Sequence, residues 1–92
     1  MTSGIIRKRM KIYGRVQGVG FRYRAEQAAG LLGITGWVRN AEDGTVEMEV
    51  QGSEAAINKM MTFINGGTYV RIDRIKTEII ETEKESGFGV RW

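Results

Sequence analysis

The sequence predicts an α+β fold in which two helices cover one face of a sheet, with the elements in the order βαββαβ and a short extra strand at the end. Three observations predict it. Stretches in which apolar and polar residues alternate, the mark of half-buried strands, are separated by two stretches with apolar residues at helical spacing. Glycines stand where one element type gives way to the next, at Gly18 and Gly20, at Gly33, at Gly52 and at Gly66 and Gly67. A chain of 92 residues without cysteine must also be held by one packed core, burying roughly 60% of its unfolded surface. Residues 1–92 are therefore expected to form a single domain.

Each element can be justified in order. Residues 6–16 place Ile6, Met10, Ile12, Gly14 and Val16 on one side and Lys11, Tyr13 and Arg15 on the other, as in a half-buried strand. Phe21, Ala25, Ala28, Ala29 and Leu32 then recur at helical spacing, and Gly33 is placed to stop the helix in a left-handed conformation. Residues 35–40, with Trp37 and Val38, make a second strand, and 41–44 (Ala-Glu-Asp-Gly) a hairpin turn. Residues 45–51 alternate cleanly, with Val46, Met48 and Val50 inside and Glu47, Glu49 and Gln51 outside. Ser53 caps a second helix with Glu54 in its favoured first turn. The stripe of that helix is Ala56, Ile57, Met60, Met61 and Ile64, flanked by Phe63, and residues 65–67 end it. Residues 69–83 are rich in β-branched side chains and form a fourth strand whose phase breaks at Asp73. Residues 84–87 turn, and Phe88, Val90 and Trp92 alternate as a short last strand.

This order is the ferredoxin-like arrangement, a sandwich of an antiparallel sheet and two helices on one face. Each βαβ crossover is right-handed, with its two strands parallel and an antiparallel strand between them. The other sheet face is expected to be open, which accounts for the polar outer side of the third strand. The loop after the first strand and the end of the second at Asn40 should emerge at one edge, about 10 Å apart at two strand spacings. Arg22 and Asn40 are then expected to face a common pocket.

Composition removes several chemistries. With no Cys and no His there is no disulfide, no thiol nucleophile, no cysteine metal cluster and no imidazole base. No apolar run approaches the roughly 20 residues of a membrane span, and the N-terminus lacks a signal-peptide core. A cytoplasmic location without membrane association is expected. The net charge of +3 is lopsided, with half of the 14 basic residues in the first twenty-four positions, where no acidic residue occurs. Such a face draws in an anion, whether a small phosphate or a nucleic acid, unless residues 7–11 are only a solvated basic arm.

The organising stretch is Gly14-Arg15-Val16-Gln17-Gly18-Val19-Gly20-Phe21-Arg22, between the first strand and the first helix. Its glycines free the backbone to curl, and a curled loop can turn N–H groups inward beside the unsatisfied N–H groups of the helix start. That makes a cradle for a phosphate-sized anion. The first helical turn carries Arg22 and Arg24 and no acid, against the helix dipole, which costs about 0.3–1 kcal/mol per cation. Rule-breaking of this kind collects at functional sites, and a guanidinium there suits a bound oxyanion. An ordinary connection with solvated arginines would read the same way.

A second patterned run, Gly36-Trp37-Val38-Arg39-Asn40 followed by Gly44, Val46 and Gly52, carries Asn40, which alone is as expected of an Asx turn. Together the two runs resemble the signatures of the acylphosphatase family, and length and element order are similar from about residue 10 to residue 92. The resemblance implies hydrolysis of the carboxyl–phosphate anhydride of acyl phosphates without metal or other cofactor. It implies that Arg22 holds the phosphate, that Asn40 positions the attacking water, and that the backbone N–H groups of Arg15, Val16, Gln17, Gly18, Val19 and Gly20 form the cradle. The partner implied is a small-molecule acyl phosphate, with no nucleic acid, and the protein is expected to act as a free-standing monomer. The chain departs from many family members in having Gly66-Gly67-Thr68-Tyr69 where they have proline, so a looser turn is expected there, and in its basic residues 5–9.

Other uses of this fold fit less well. RNA-binding modules stack bases on central-strand aromatics of the open face, but here Glu47 and Glu49 would face the phosphates, leaving Tyr13 and Trp37 as platforms. A regulatory anion-binding domain, or a module of a larger carbamoyl-transferring maturation protein, would share the loop. Copper carriage would need a cysteine pair.

Overall fold

In the computed structural model, which describes residues 4–91, the elements are β1 (Ile5–Arg15), α1 (Phe21–Leu32), β2 (Thr35–Asn40), β3 (Val46–Ser53), α2 (Glu54–Asn65), β4 (Arg71–Ile80) and β5 (Phe88–Arg91). The sheet order is β4-β1-β3-β2-β5. β1 pairs antiparallel with β3 and β4, and β3 antiparallel with β2, so β1 and β2 run the same way on either side of β3. That is the topology the sequence predicts. The sheet is not wholly antiparallel, however: β5 joins β2 in parallel. Residues 81–87 connect opposite edges of the sheet and reverse direction on the way, so β5 lies antiparallel to β4 and parallel to β2. Trp92, expected in the last strand, lies outside the described residues.

The core lies between helices and sheet. Met10 and Ile12 of β1 and Val46, Met48 and Val50 of β3 meet Ala25, Ala28 and Ala29 of α1 and Ile57, Met60 and Ile64 of α2, all buried. Three alanines let α1 sit close to the sheet. Ser53 caps α2 as expected, its hydroxyl accepting from Ala56 N–H at 3.1 Å, and Gly33 closes α1 at φ +69°. No helix among the described residues is long and apolar enough to cross a membrane.

Three departures have physical causes. The break in the phase of β4 is a bulge: Tyr13 pairs with Arg74 but Gly14 with Ile72, so Asp73 has no cross-strand partner. Gly14 permits it at φ +133°, since a Cβ there would stand 2.1 Å from the Arg71 carbonyl oxygen. Arg24 does not join Arg22. It donates to the Phe63 carbonyl near the end of α2 (Nη2–O 2.6 Å) and lies 4.2 Å over the Phe63 ring, linking the two helices. Gly67 makes room for it, because a Cβ there would meet Arg24 Cδ at 2.9 Å.

Third, the face without helices is partly covered. Residues 81–87 form a strap across it, held by Gln51, whose side chain donates to the Glu83 carbonyl and accepts from Glu83 N–H, both at 2.9 Å. Arg7 is not part of a solvated arm. It is 1% exposed, with Nε 2.9 Å from Glu49 Oε1 and Nη1 bonded to Gln51 and Glu85. Burial works to lower its pKa, but the bonds to Glu85 and Glu49 outweigh it and the net shift is upward.

Candidate active site

β1 ends at Arg15, and the chain curls through Gly18 at φ +70° and Gly20 at φ +83° into α1. Both angles lie in the left-handed region that glycine enters without a Cβ penalty. Gly20 occupies the N-cap position and so offers no capping side chain to the first N–H groups of α1, and no acid stands in its first turn. The helix start is thus left for something else to satisfy.

Val16, Gly18, Gly20, Arg22 and Asn40 line one cavity of about 450 Å³. Strands β1 and β2 deliver them from the same edge of the sheet, as their common direction requires. The expected cradle residues divide by their side chains. Val16 is buried in the floor, Val19 packs against the core, and Gln17 turns away to the β2–β3 hairpin. Its Nε2 donates to the carbonyls of Ala41 at 2.6 Å and Thr45 at 2.9 Å. This bond was not legible in the sequence, and it fixes the glycine loop against the turn that follows Asn40. Arg15 is exposed at the end of β1, paired in register with Arg71.

The hairpin has its own lock. Asp43, not Asn40, makes the Asx turn, accepting from Thr45 Oγ1 at 2.6 Å and Thr45 N at 3.1 Å, while Lys11 Nζ lies 2.9 Å from its other oxygen. The Asn40 carboxamide takes no part in that turn. The Thr45 hydroxyl, Lys11 and the Thr45 N–H together hold the Asp43 carboxyl well below the usual carboxylate range. A depressed pKa means that its stabilisation is complete above the unfolded value, near 3.9, and is lost as pH falls through the folded one. The gap in melting temperature between wild type and Asp43→Asn should accordingly be constant above about pH 5 and shrink steadily below about pH 4.

The aromatic platforms expected of an RNA-binding face are not available. Trp37 is 9% exposed and covered by Arg91 at 4.5 Å and Arg39 at 5.7 Å, and Arg74 lies 4.6 Å over Tyr13. Glu47 and Glu49 are already engaged, by Arg39 and Lys11 and by Arg7 respectively.

Fold and site together define a class: a small ferredoxin-like α+β domain with an arginine-bearing hollow at its first strand–helix loop. Comparison with known proteins narrows that class. The family description "Acylphosphatase" matches residues 8–90. An acylphosphatase of Clostridium acetobutylicum is 45% identical over 83 residues, covering 88% of this chain and 91% of the relative. One of Thermococcus kodakarensis is 40% identical over 86 residues, covering 92% and 94%. The solved structure of an acylphosphatase from Coxiella burnetii superposes with a TM-score of 0.86 at 30% identity, covering 99% of this chain and all of the other. The chain belongs to the acylphosphatase family.

Proposed function

We propose that the protein hydrolyses acyl phosphates to a carboxylate and inorganic phosphate, without a metal ion. The observation that carries this reading is that Arg22 and Asn40, from two separated sequence motifs, line one cavity with the glycine loop. In the proposed mechanism the backbone N–H groups of residues 15–20 and the Arg22 guanidinium hold the phosphoryl oxygens. The Asn40 carboxamide orients a water. The water oxygen attacks phosphorus as the bond from phosphorus to the acyl oxygen breaks, the carboxylate leaves with the electron pair, and a proton of the water passes to a phosphoryl oxygen to give dihydrogen phosphate.

The residue inventory fits this anhydride. Phosphoryl transfer passes through a loose transition state in most analyses, so positioning and charge stabilisation dominate. The leaving carboxylate has a conjugate acid pKa of about 4, like an Asp or Glu side chain, and needs no proton from the protein. An alkyl monoester phosphate, whose leaving alkoxide must be protonated, should turn over poorly. The reading takes residues 1–92 as one domain acting as a cytoplasmic monomer, which light scattering on the purified protein checks as to mass.

An assay with benzoyl phosphate tests the proposal. Asn40→Ala should lower kcat by about 10²–10³, the usual effect of removing one preorganised donor, while competitive inhibition by inorganic phosphate persists. Activity should withstand EDTA and 1,10-phenanthroline. A wild-type rate from Asn40→Ala would remove its assigned role, and loss of activity to chelators would remove the metal-free mechanism.

A further inference from the structure

The cavity extends well beyond what a phosphoryl group fills. Its volume of about 450 Å³ lies in the range that buries a small organic ligand. Past the loop and Arg22, its remaining wall among the described residues is Phe21, Tyr23 and Glu26 of α1 and Val90 of β5. Glu26 stands four residues after Arg22 and three after Tyr23 on α1, so it neighbours both on the helix surface. The Tyr23 hydroxyl accepts a hydrogen bond from Gln27 Nε2 at 3.1 Å, which steadies a ring that is otherwise 63% exposed. Glu26 also lines a second hollow of about 360 Å³ that continues along the seam between α1 and β5 past Phe88. The carboxylate therefore stands where a groove leading away from the phosphate end passes from one hollow to the next.

Resting on the function proposed above, we infer that this extension is the acyl-group subsite, and that it sets the substrate class: neutral apolar or aromatic acyl phosphates, with discrimination against acyl groups that bear a second negative charge. An anhydride joins the acyl group directly to the phosphoryl group, so whatever lines the rest of the cavity is what the acyl group meets. Val90 and the Tyr23 ring offer apolar contact. A carboxylate or phosphate on the acyl chain is brought towards Glu26, which is exposed, so the repulsion is moderate and weakened by salt.

The test is a ratio of kcat/KM values, which is independent of how much of a preparation is folded. Wild type, Tyr23→Ala and Glu26→Gln are each assayed with benzoyl phosphate, acetyl phosphate and the monoacyl phosphate of succinic acid. Tyr23→Ala should lower the benzoyl-to-acetyl ratio about tenfold, from lost aromatic contact. Glu26→Gln should raise the succinyl-to-acetyl ratio about three- to tenfold at low ionic strength, and the gain should fade in 0.5 M salt. Ratios within twofold of wild type in both variants would overturn the subsite while leaving the hydrolase reading intact. If wild type cleaved none of the three, the hydrolase reading would fail and the subsite with it.

Discussion

Replacing Arg22 by Ala should lower kcat/KM for benzoyl phosphate by about 10³-fold or more, and should weaken inhibition by inorganic phosphate along with it. An arginine that stabilises a transferring phosphoryl group is worth about 10³–10⁵ in rate in other phosphoryl-transfer enzymes. Among the described residues, no second cation lines the same cavity to take its place. Arg24, the nearest in sequence, is committed to the Phe63 carbonyl. The helix start contributes N–H groups, but these remain in Arg22→Ala and leave the anion without a full opposing charge. Arg22→Lys separates charge from geometry. It restores the cation without the planar fork that meets two oxygens at once, so it should recover part of the phosphate affinity and less of the rate. If Arg22→Ala bound phosphate as wild type does, the anchoring role would pass to the loop's backbone alone.

The parts of this site that were legible in the sequence are those set by local rules. Strand β3 announced itself by alternation, α2 by Ser53 and its stripe, and the loop by glycines, two of which prove to be left-handed at positions 18 and 20. Arg22 and Asn40 could be brought together because a right-handed βαβ crossover leaves β1 and β2 parallel. What stayed hidden depends on partners far along the chain. Nothing near Gln17 announces that its amide reaches the carbonyls of Ala41 and Thr45. Arg24 read only as a first-turn cation set against the helix dipole, because its partner in α2 is 39 positions away. Tyr23 and Glu26 went unremarked because an exposed helix face reads as solvated until a cavity is seen beside it. The phase of β4 failed at Asp73 for a different reason, since a bulge inserts one residue into the period-2 pattern by which a strand is recognised.

Arg7 is the residue the sequence misplaced furthest, and its removal should have the largest effect on stability. Its partners Glu49 and Glu85 lie 42 and 78 positions away, at 12% and 24% side-chain exposure, with Glu83 at 3.7 Å. In Arg7→Ala these carboxylates face one another without a cation, and the Gln51 side chain loses a donor. Breaking a buried ion pair by deleting one partner costs about 3–5 kcal/mol, and in a domain of this size each kcal/mol moves Tm by about 4–8 °C. The expected fall in Tm is therefore well over 10 °C, and partly relieved by 1 M salt. Arg7→Met should fare little better, because the methylenes return but the charge does not. Combining Arg7→Met with Glu49→Gln and Glu85→Gln should recover most of the loss, as only Glu83, whose side chain is largely exposed, then keeps a charge in the cluster. A single-variant shift under about 3 °C would show that the strap stays in place without the guanidinium. The clasp also reaches the site, for the strap it holds runs into β5, and β5 supplies Val90 to the cavity wall. At temperatures where Arg7→Ala is still folded, KM for benzoyl phosphate should rise more than KM for acetyl phosphate, which extends less far along that wall.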